Sequence, residues 1–170
     1  MLGNGTFSIS TSVSEVLTTP ENRSGTIFDS VSKGYSFTNG VIPGKNDLVW
    51  SDRRTVAMGA TDVIDLFGGG LLDALNNPVN FLFVTGIMLS NRETVAGTRI
   101  LNFGPNMAAN PFIWLFGTTS DLVSIVPSSA YIQWNDAGVT TAGGLDKIRI
   151  INTDIANPVT FDILITGRSV

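Results

Sequence analysis

The chain contains no cysteine and no histidine. Without cysteine there is no disulfide framework, no thiolate nucleophile and no iron–sulfur or zinc site of the usual kind. Without histidine the commonest general base and metal ligand is missing as well. Histidine-dependent serine triads, cysteine–histidine pairs and the helical two-histidine zinc motif are therefore excluded. Glutamate is confined to Glu15, Glu21 and Glu93, which gives a glycosidase-like carboxylate pair little support.

Charge is also scarce. Only 14% of residues are charged and the net charge is −4, with ten Lys and Arg scattered among fourteen acids. A nucleic-acid surface needs a basic patch that displaces counterions from phosphates, so no direct nucleic-acid contact is expected. Long apolar runs are missing too. The longest, from Phe81 to Leu89, is about half of what a helix needs to cross a bilayer. The first residues lack the basic and apolar regions of a secretory signal, so Asn4 and Asn22 read as chance glycosylation matches. A soluble product made in a cytoplasm, with no membrane partner, is the expectation.

What the chain does have is 43% hydrophobic content over 170 residues. That length suits one domain burying about 70% of its extended surface. Much apolar content with little charge implies surface covered by another chain, although a large all-β core gives the same numbers.

Period-two alternation dominates. In "TFSISTSV", Phe7, Ile9 and Val13 alternate with serines. In "DLVWSDRRTV", Leu48, Trp50 and Val56 share one face, with Asp52 and Arg54 at its wet end. Val49, Ser51, Arg53 and Thr55 take the other. "TDVIDLF" sets Ile64 and Leu66 against Val63, Asp65 and Phe67, and "VTFDILITG" sets Phe161, Ile163 and Ile165 inward and Asp162 outward. "NFLFVTGIMLSN" is apolar on both faces, as in a central strand. "TRILNFG", "FIWLFG", "SAYIQWND" and "DKIRIINTD" continue the series, with prolines and glycines between the runs. "GGLLDALNNP" has room for one or two helical turns presenting Leu71, Leu72 and Leu75 together. The pattern predicts an all-β, antiparallel, jelly-roll-like β-sandwich of about eight strands over residues 41–170. Residues 18–40 are rich in Ser, Thr, Gly and Asn, and residues 1–40 are expected to form an N-terminal extension with one strand, docking on the domain or a neighbouring subunit.

No chemistry-bearing constellation stands out. "FGGGLLDAL" has glycines but neither the Lys-Ser/Thr of a P-loop nor dinucleotide spacing, and reads as a flexible turn. Asp62 and Asp65, three apart on a strand, point to opposite faces. Asp136 and Asp146 are too far apart for a calcium loop. No catalytic residue, cofactor or metal is expected. The partner-interface candidates are Arg53 and Arg54, one pairing with Asp52 or another carboxylate and the other available to a partner. Phe112, Trp114 and Phe116 join them as an aromatic ladder on one strand face, a pattern that serves a core as readily as an interface.

The phrase "DLVWSDRRTVAMGATDVIDLFGGGLLDAL", then "IMLSN", "NPF", "TAGGLDKIRIIN" and "VTFDILITGRS", resembles small virion structural proteins of tailed bacteriophages, from about Asp47 to Ser169. Its most specific part is W-S-D-x-R-T-[VL]-A-x-G-A-T-D-x-I-D-L. The resemblance implies a non-enzymatic part of a particle. Within that, the expectation is a capsid decoration (cement) protein, a homo-oligomeric trimer or dimer on the capsid exterior that binds the major capsid protein. One rival is a tail or host-recognition component holding a glycan on Trp114, Trp134 and Tyr131. Another, of a different class, is a carboxylate-based hydrolase.

Overall fold

A computed structural model describes residues 5–18, 24–73, 75–95, 99–107, 109–113 and 116–170, with side chains from 38 onward. Thirteen strands follow in chain order, and no helix occurs among the described residues. They are β1 (Gly5–Thr18), β2 (Ser24–Asn39), β3 (Lys45–Asn46), β4 (Leu48–Val56), β5 (Thr61–Asp65), β6 (Leu71–Leu72) and β7 (Pro78–Val79). The rest are β8 (Phe83–Asn91), β9 (Leu101–Pro105), β10 (Val123–Ile125), β11 (Ala130–Thr140), β12 (Lys147–Asn152) and β13 (Val159–Arg168).

The chain divides into two compact units, with the boundary at Thr38 and Asn39. In the N-terminal unit β1 and β2 form a continuous antiparallel pair, from Gly5 opposite Phe37 to Thr18 opposite Ser24. The expectation of one strand here is corrected to two. In β2 the alternating Ile27, Val31, Tyr35 and Phe37 are interrupted by Asp29 and Lys33, which breaks the apolar period, and its backbone bonds to β1 do not require one. The alternation of Phe7, Ile9 and Val13 with serines falls on residues whose side chains lie outside the described ones.

In the second unit eight strands pair in a nested order. The outermost pair is β4 with β13, then β5 with β12, β8 with β11, and innermost β9 with β10, all antiparallel. Two further antiparallel contacts, β13 with β8 and β12 with β9, join them into four-stranded sheets of order β11-β8-β13-β4 and β10-β9-β12-β5. The architecture is an antiparallel β-sandwich. The nesting also settles which strands lie at the edges: β4 and β5, consecutive in the chain, each end a sheet, as do β10 and β11.

The core follows from alternation. Trp50 and Val56 of β4, Ile64 of β5, Ile87 and Leu89 of β8, Ile148 and Ile150 of β12, and Phe161, Ile163 and Ile165 of β13 form one buried cluster. Phe103 of β9 lies 5.5 Å from Phe116 edge-on and 5.8 Å from Tyr131 of β11, so aromatic packing spans the two sheets. At the end of β13 the register shifts between Thr166 and Gly167, where a Cβ on Gly167 would lie 2.1 Å from the Phe83 carbonyl oxygen. Glycine alone permits that approach.

Two local expectations are overturned. "GGLLDALNNP" forms the hairpin of β6 and β7 rather than helical turns, with Leu71 buried while Leu72 and Leu75 are exposed. The Asp73 carboxylate takes the backbone N–H of Leu75 and of Asn77, and Asn76 sits at φ 63°, so a side-chain-closed turn outcompetes a helix. "FIWLFG" is not a strand over its described residues. Asn110 turns at φ 54°, Pro111 makes an isolated bridge to Lys147, and the Phe116 N–H closes a turn on the Ile113 carbonyl.

Candidate functional site: the β4–β5 edge

β4 alternates as its sequence dictates, and its register with β13 sets each side chain's face. Trp50 stands opposite Ile165, Asp52 opposite Ile163 and Arg54 opposite Phe161, all on the inner face. Arg53, opposite Asp162, points outward. On an edge strand the inner face is half open to solvent, which lets two charged groups follow Trp50 without entering the core.

Arg54 lies between two carboxylates. Its Nε donates to Asp52 Oδ2 at 3.0 Å, and its Nη1 donates to both oxygens of Asp62, on β5, at 3.1 and 2.9 Å. Its guanidinium carbon lies 5.7 Å from the Trp50 ring centroid, a cation–π distance, and the Trp50 indole N–H donates to the Leu72 carbonyl. The Arg54 side chain is 28% exposed. Partial burial works against its charge, but the bonds from Asp52 and Asp62 outweigh it, so its pKa is raised. Because β4 and β5 belong to different sheets, Arg54 ties one sheet to the other along the open side of the sandwich. Two shallow clefts of about 370 and 420 Å³ flank it, one toward Ala57, Ala60 and Asp62, the other toward Trp50, Asp52 and Asp73.

On the outer face Arg53 donates from Nε to Asp162 Oδ1 at 2.7 Å and from Nη2 to Oδ2 at 3.3 Å. Arg92 approaches the same carboxylate at 3.4 Å. The hydrogen bond from Arg53, followed by its charge, holds the Asp162 carboxyl below the usual carboxylate range. Thr55 and Thr160 share a hydroxyl bond beside this cluster.

The expectation that one arginine pairs and the other stays available is corrected: Arg53 and Arg54 are both paired, on opposite faces. Phe112 and Phe116 are buried, at 1% and 8% exposure, so the interface reading of these two gives way to the core reading. Trp114 lies outside the described residues. Of the other aromatics considered for a glycan platform, Trp134 lies against Gly86, and Tyr131 packs inward on Phe103.

Asp62 and Asp65 do take opposite faces. Asp65 caps the backbone N–H groups of Phe67 and Gly68 and lies 3.4 Å from Lys147, while Asp62 belongs to Arg54. The approach of Asp52 to Asp62 was not visible in the sequence. Both carboxylates are acceptors of one guanidinium, an arrangement that fixes position. Among the described residues no group of three or more metal-ligating acids gathers.

The chain matches no protein-family model and no curated protein.

Proposed function

We propose that this chain is a non-enzymatic structural protein of a bacteriophage virion, a capsid decoration protein that binds the outer surface of the major capsid protein shell and stabilises the head. One observation carries the reading: the phrase bearing the resemblance is the phrase that builds the sandwich edge. Its specified residues include Trp50, Val56, Ile64 and Leu66, which are buried, and Asp52, Arg54 and Asp62, which form the ion lock. Its unspecified positions are Arg53, Met58 and Val63, all solvent-facing. What the phrase specifies is a two-strand structural device, as suits a protein whose task is to hold shape.

The nested pairing, first strand with last and inward to β9 with β10, supports a jelly-roll topology, a long antiparallel ribbon rolled into two sheets. Such a body with a strand-rich N-terminal segment suits attachment across neighbouring shell subunits. The Arg53–Asp162–Arg92 surface offers the shell ionic contacts on the outer face of one sheet.

The test is location. Mass spectrometry and electron cryo-microscopy of particles carrying this chain should find it on the capsid exterior, and particles lacking it should open at a lower temperature. Density at the tail tip would replace this reading with host recognition. Absence from particles, with glycan turnover abolished by Asp52→Asn or Asp62→Asn, would replace it with the hydrolase.

A further inference from the structure

The sheet β11-β8-β13-β4 has two edges of opposite character. An exposed edge strand offers unpaired N–H and C=O groups to any extended partner, and proteins protect such edges with charge, proline, bulges or brevity. β4 is protected by Asp52, Arg53 and Arg54 in succession. β11 is not protected over Ala130–Trp134. That stretch has no charge, no proline and an unbroken register with β8, and the bulge that disrupts β11 begins only after Trp134. Among the described residues no strand pairs on its other side.

We infer that Ala130–Trp134 is a self-pairing edge, at which a second copy of this chain adds antiparallel about a twofold axis through Ile132 and extends the sheet from four strands to eight. The stretch is complementary to itself in that register. Ala130 stands opposite the partner's Trp134, a small residue against the largest. Tyr131 stands opposite the partner's Gln133 on the inner face, its hydroxyl bonded to Gln133 Oε1 of its own chain at 3.5 Å, and Ile132 meets its own copy. The Trp134 ring lies over Gly86 of the neighbouring β8, and its indole N–H donates to Asp136.

The outer face continues the match. Ile132, Met88 and Leu164 form a row across β11, β8 and β13, and pairing about Ile132 sets that row end to end with the same row of the second copy. Electrostatics selects the occupant. Two copies of net charge −4 repel wherever carboxylates meet, and β11 carries none from Ala130 to Trp134. At β4 a twofold about Arg53 would set that arginine against itself, with Asp52 and Arg54 already committed to each other and to Asp62.

The absence of native cysteine makes a direct test simple. In the full-length chain Ile132→Cys places two thiols across the twofold at a separation that a disulfide spans, and mild oxidation should give a covalent dimer in high yield. Ser51→Cys, on the protected edge of the same sheet, should give no covalent dimer under the same conditions. Sedimentation of the wild-type chain should show twice the 18.1 kDa chain mass. Ile132→Arg should weaken association at least tenfold, and at a concentration low enough for both chains to be monomeric its thermal midpoint should match wild type. A wild-type chain that stays monomeric at roughly 100 μM, where even weak specific pairing populates a dimer, overturns the inference. So does equal cross-linking of the two cysteine variants. Either result leaves the virion reading standing, since that depends on particle location.

Discussion

Replacing Arg54 by methionine tests whether the sandwich edge is locked or merely decorated. Methionine keeps most of the apolar stem against Trp50 and removes only the charged fork. Three charge-assisted hydrogen bonds are lost, and Asp52 and Asp62 are left facing each other without the cation between them. An exposed pair would contribute under about 1 kcal/mol, and a fully buried one would cost about 3–5 kcal/mol to break. With side chains 28% exposed at Arg54, 44% at Asp52 and 26% at Asp62, the site lies between these limits, and about 2 kcal/mol is the expected loss. For a domain of this length that lowers the thermal midpoint by about 4–8 °C.

The assay is urea unfolding followed by Trp fluorescence, together with calorimetry. Asp62→Asn alone should cost about 1 kcal/mol, and the Arg54–Asp62 double-mutant cycle should return a coupling of at least about 0.5 kcal/mol. The coupling should persist in 1 M salt, where an exposed pair would be screened. If Arg54→Met stays within about 0.5 kcal/mol of wild type, or if the coupling vanishes in salt, then Arg54 is an ordinary surface charge and the edge is held by its apolar residues alone.

Gly167→Ala should destabilise by about 3 kcal/mol or more, because the added methyl meets the backbone oxygen of Phe83 at 2.1 Å and a carbonyl in a sheet cannot swing aside. A midpoint unchanged in calorimetry would mean that the bulge there relaxes freely. Acid stability should depend on Glu93, whose carboxyl is held below its usual range by the Thr160 backbone N–H and then by Arg99. Its contribution is fully present above the unfolded carboxylate value, near pH 4.3, and is lost as pH falls through the lower folded value. Asp162 acts in the same direction. Asp146, raised by burial and then by Asp65, acts oppositely and regains stability on acidification. The stability gap between wild type and Glu93→Gln should therefore be widest above pH 5 and close toward pH 2, and a gap constant over that range would remove Glu93 from the acid transition.

Much of this architecture was legible because a half-buried strand writes its faces into the sequence with a period of two. Trp50, Ile64, Leu66, Phe161, Ile163 and Ile165 were placed correctly by alternation, and the opposition of Arg53 to Arg54 followed from the same rule. Alternation fails where local side-chain bonds govern the backbone. Leu71, Leu72 and Leu75 suggested a helical face, but Asp73 closes a turn beneath them; Phe112 and Phe116 suggested a ladder, but a turn delivers both to the core. Register is invisible for a different reason. Arg53 meets Asp162 across 109 positions, and nothing in either neighbourhood encodes the pairing. Asp62, eight residues after Arg54 and beyond a turn at Gly59, was within reach of inspection. Its meaning required knowing that β4 and β5 join different sheets.

That last point links topology to chemistry. In a nested arrangement the first two strands of the series become edges of different sheets, and the short connection between them keeps both edges on one side. An edge strand's inner face has core on one flank and water on the other, so the residue following a buried Trp50 on that face must be able to live in both. Asp52, Arg54 and Asp62 meet this condition as a set: the guanidinium satisfies both carboxylates, its flat face packs near the indole, and its remaining surface is wet. An aliphatic residue at 54 would leave two acids unpaired, and a lysine could not serve both with a fixed fork. The dense charge of this edge follows from its place in the fold. The same topology leaves β11 as the other edge of the sheet, and since among the described residues no ion pair crosses to β10 there, the uncharged stretch Ala130–Trp134 remains the side on which the sheet can grow.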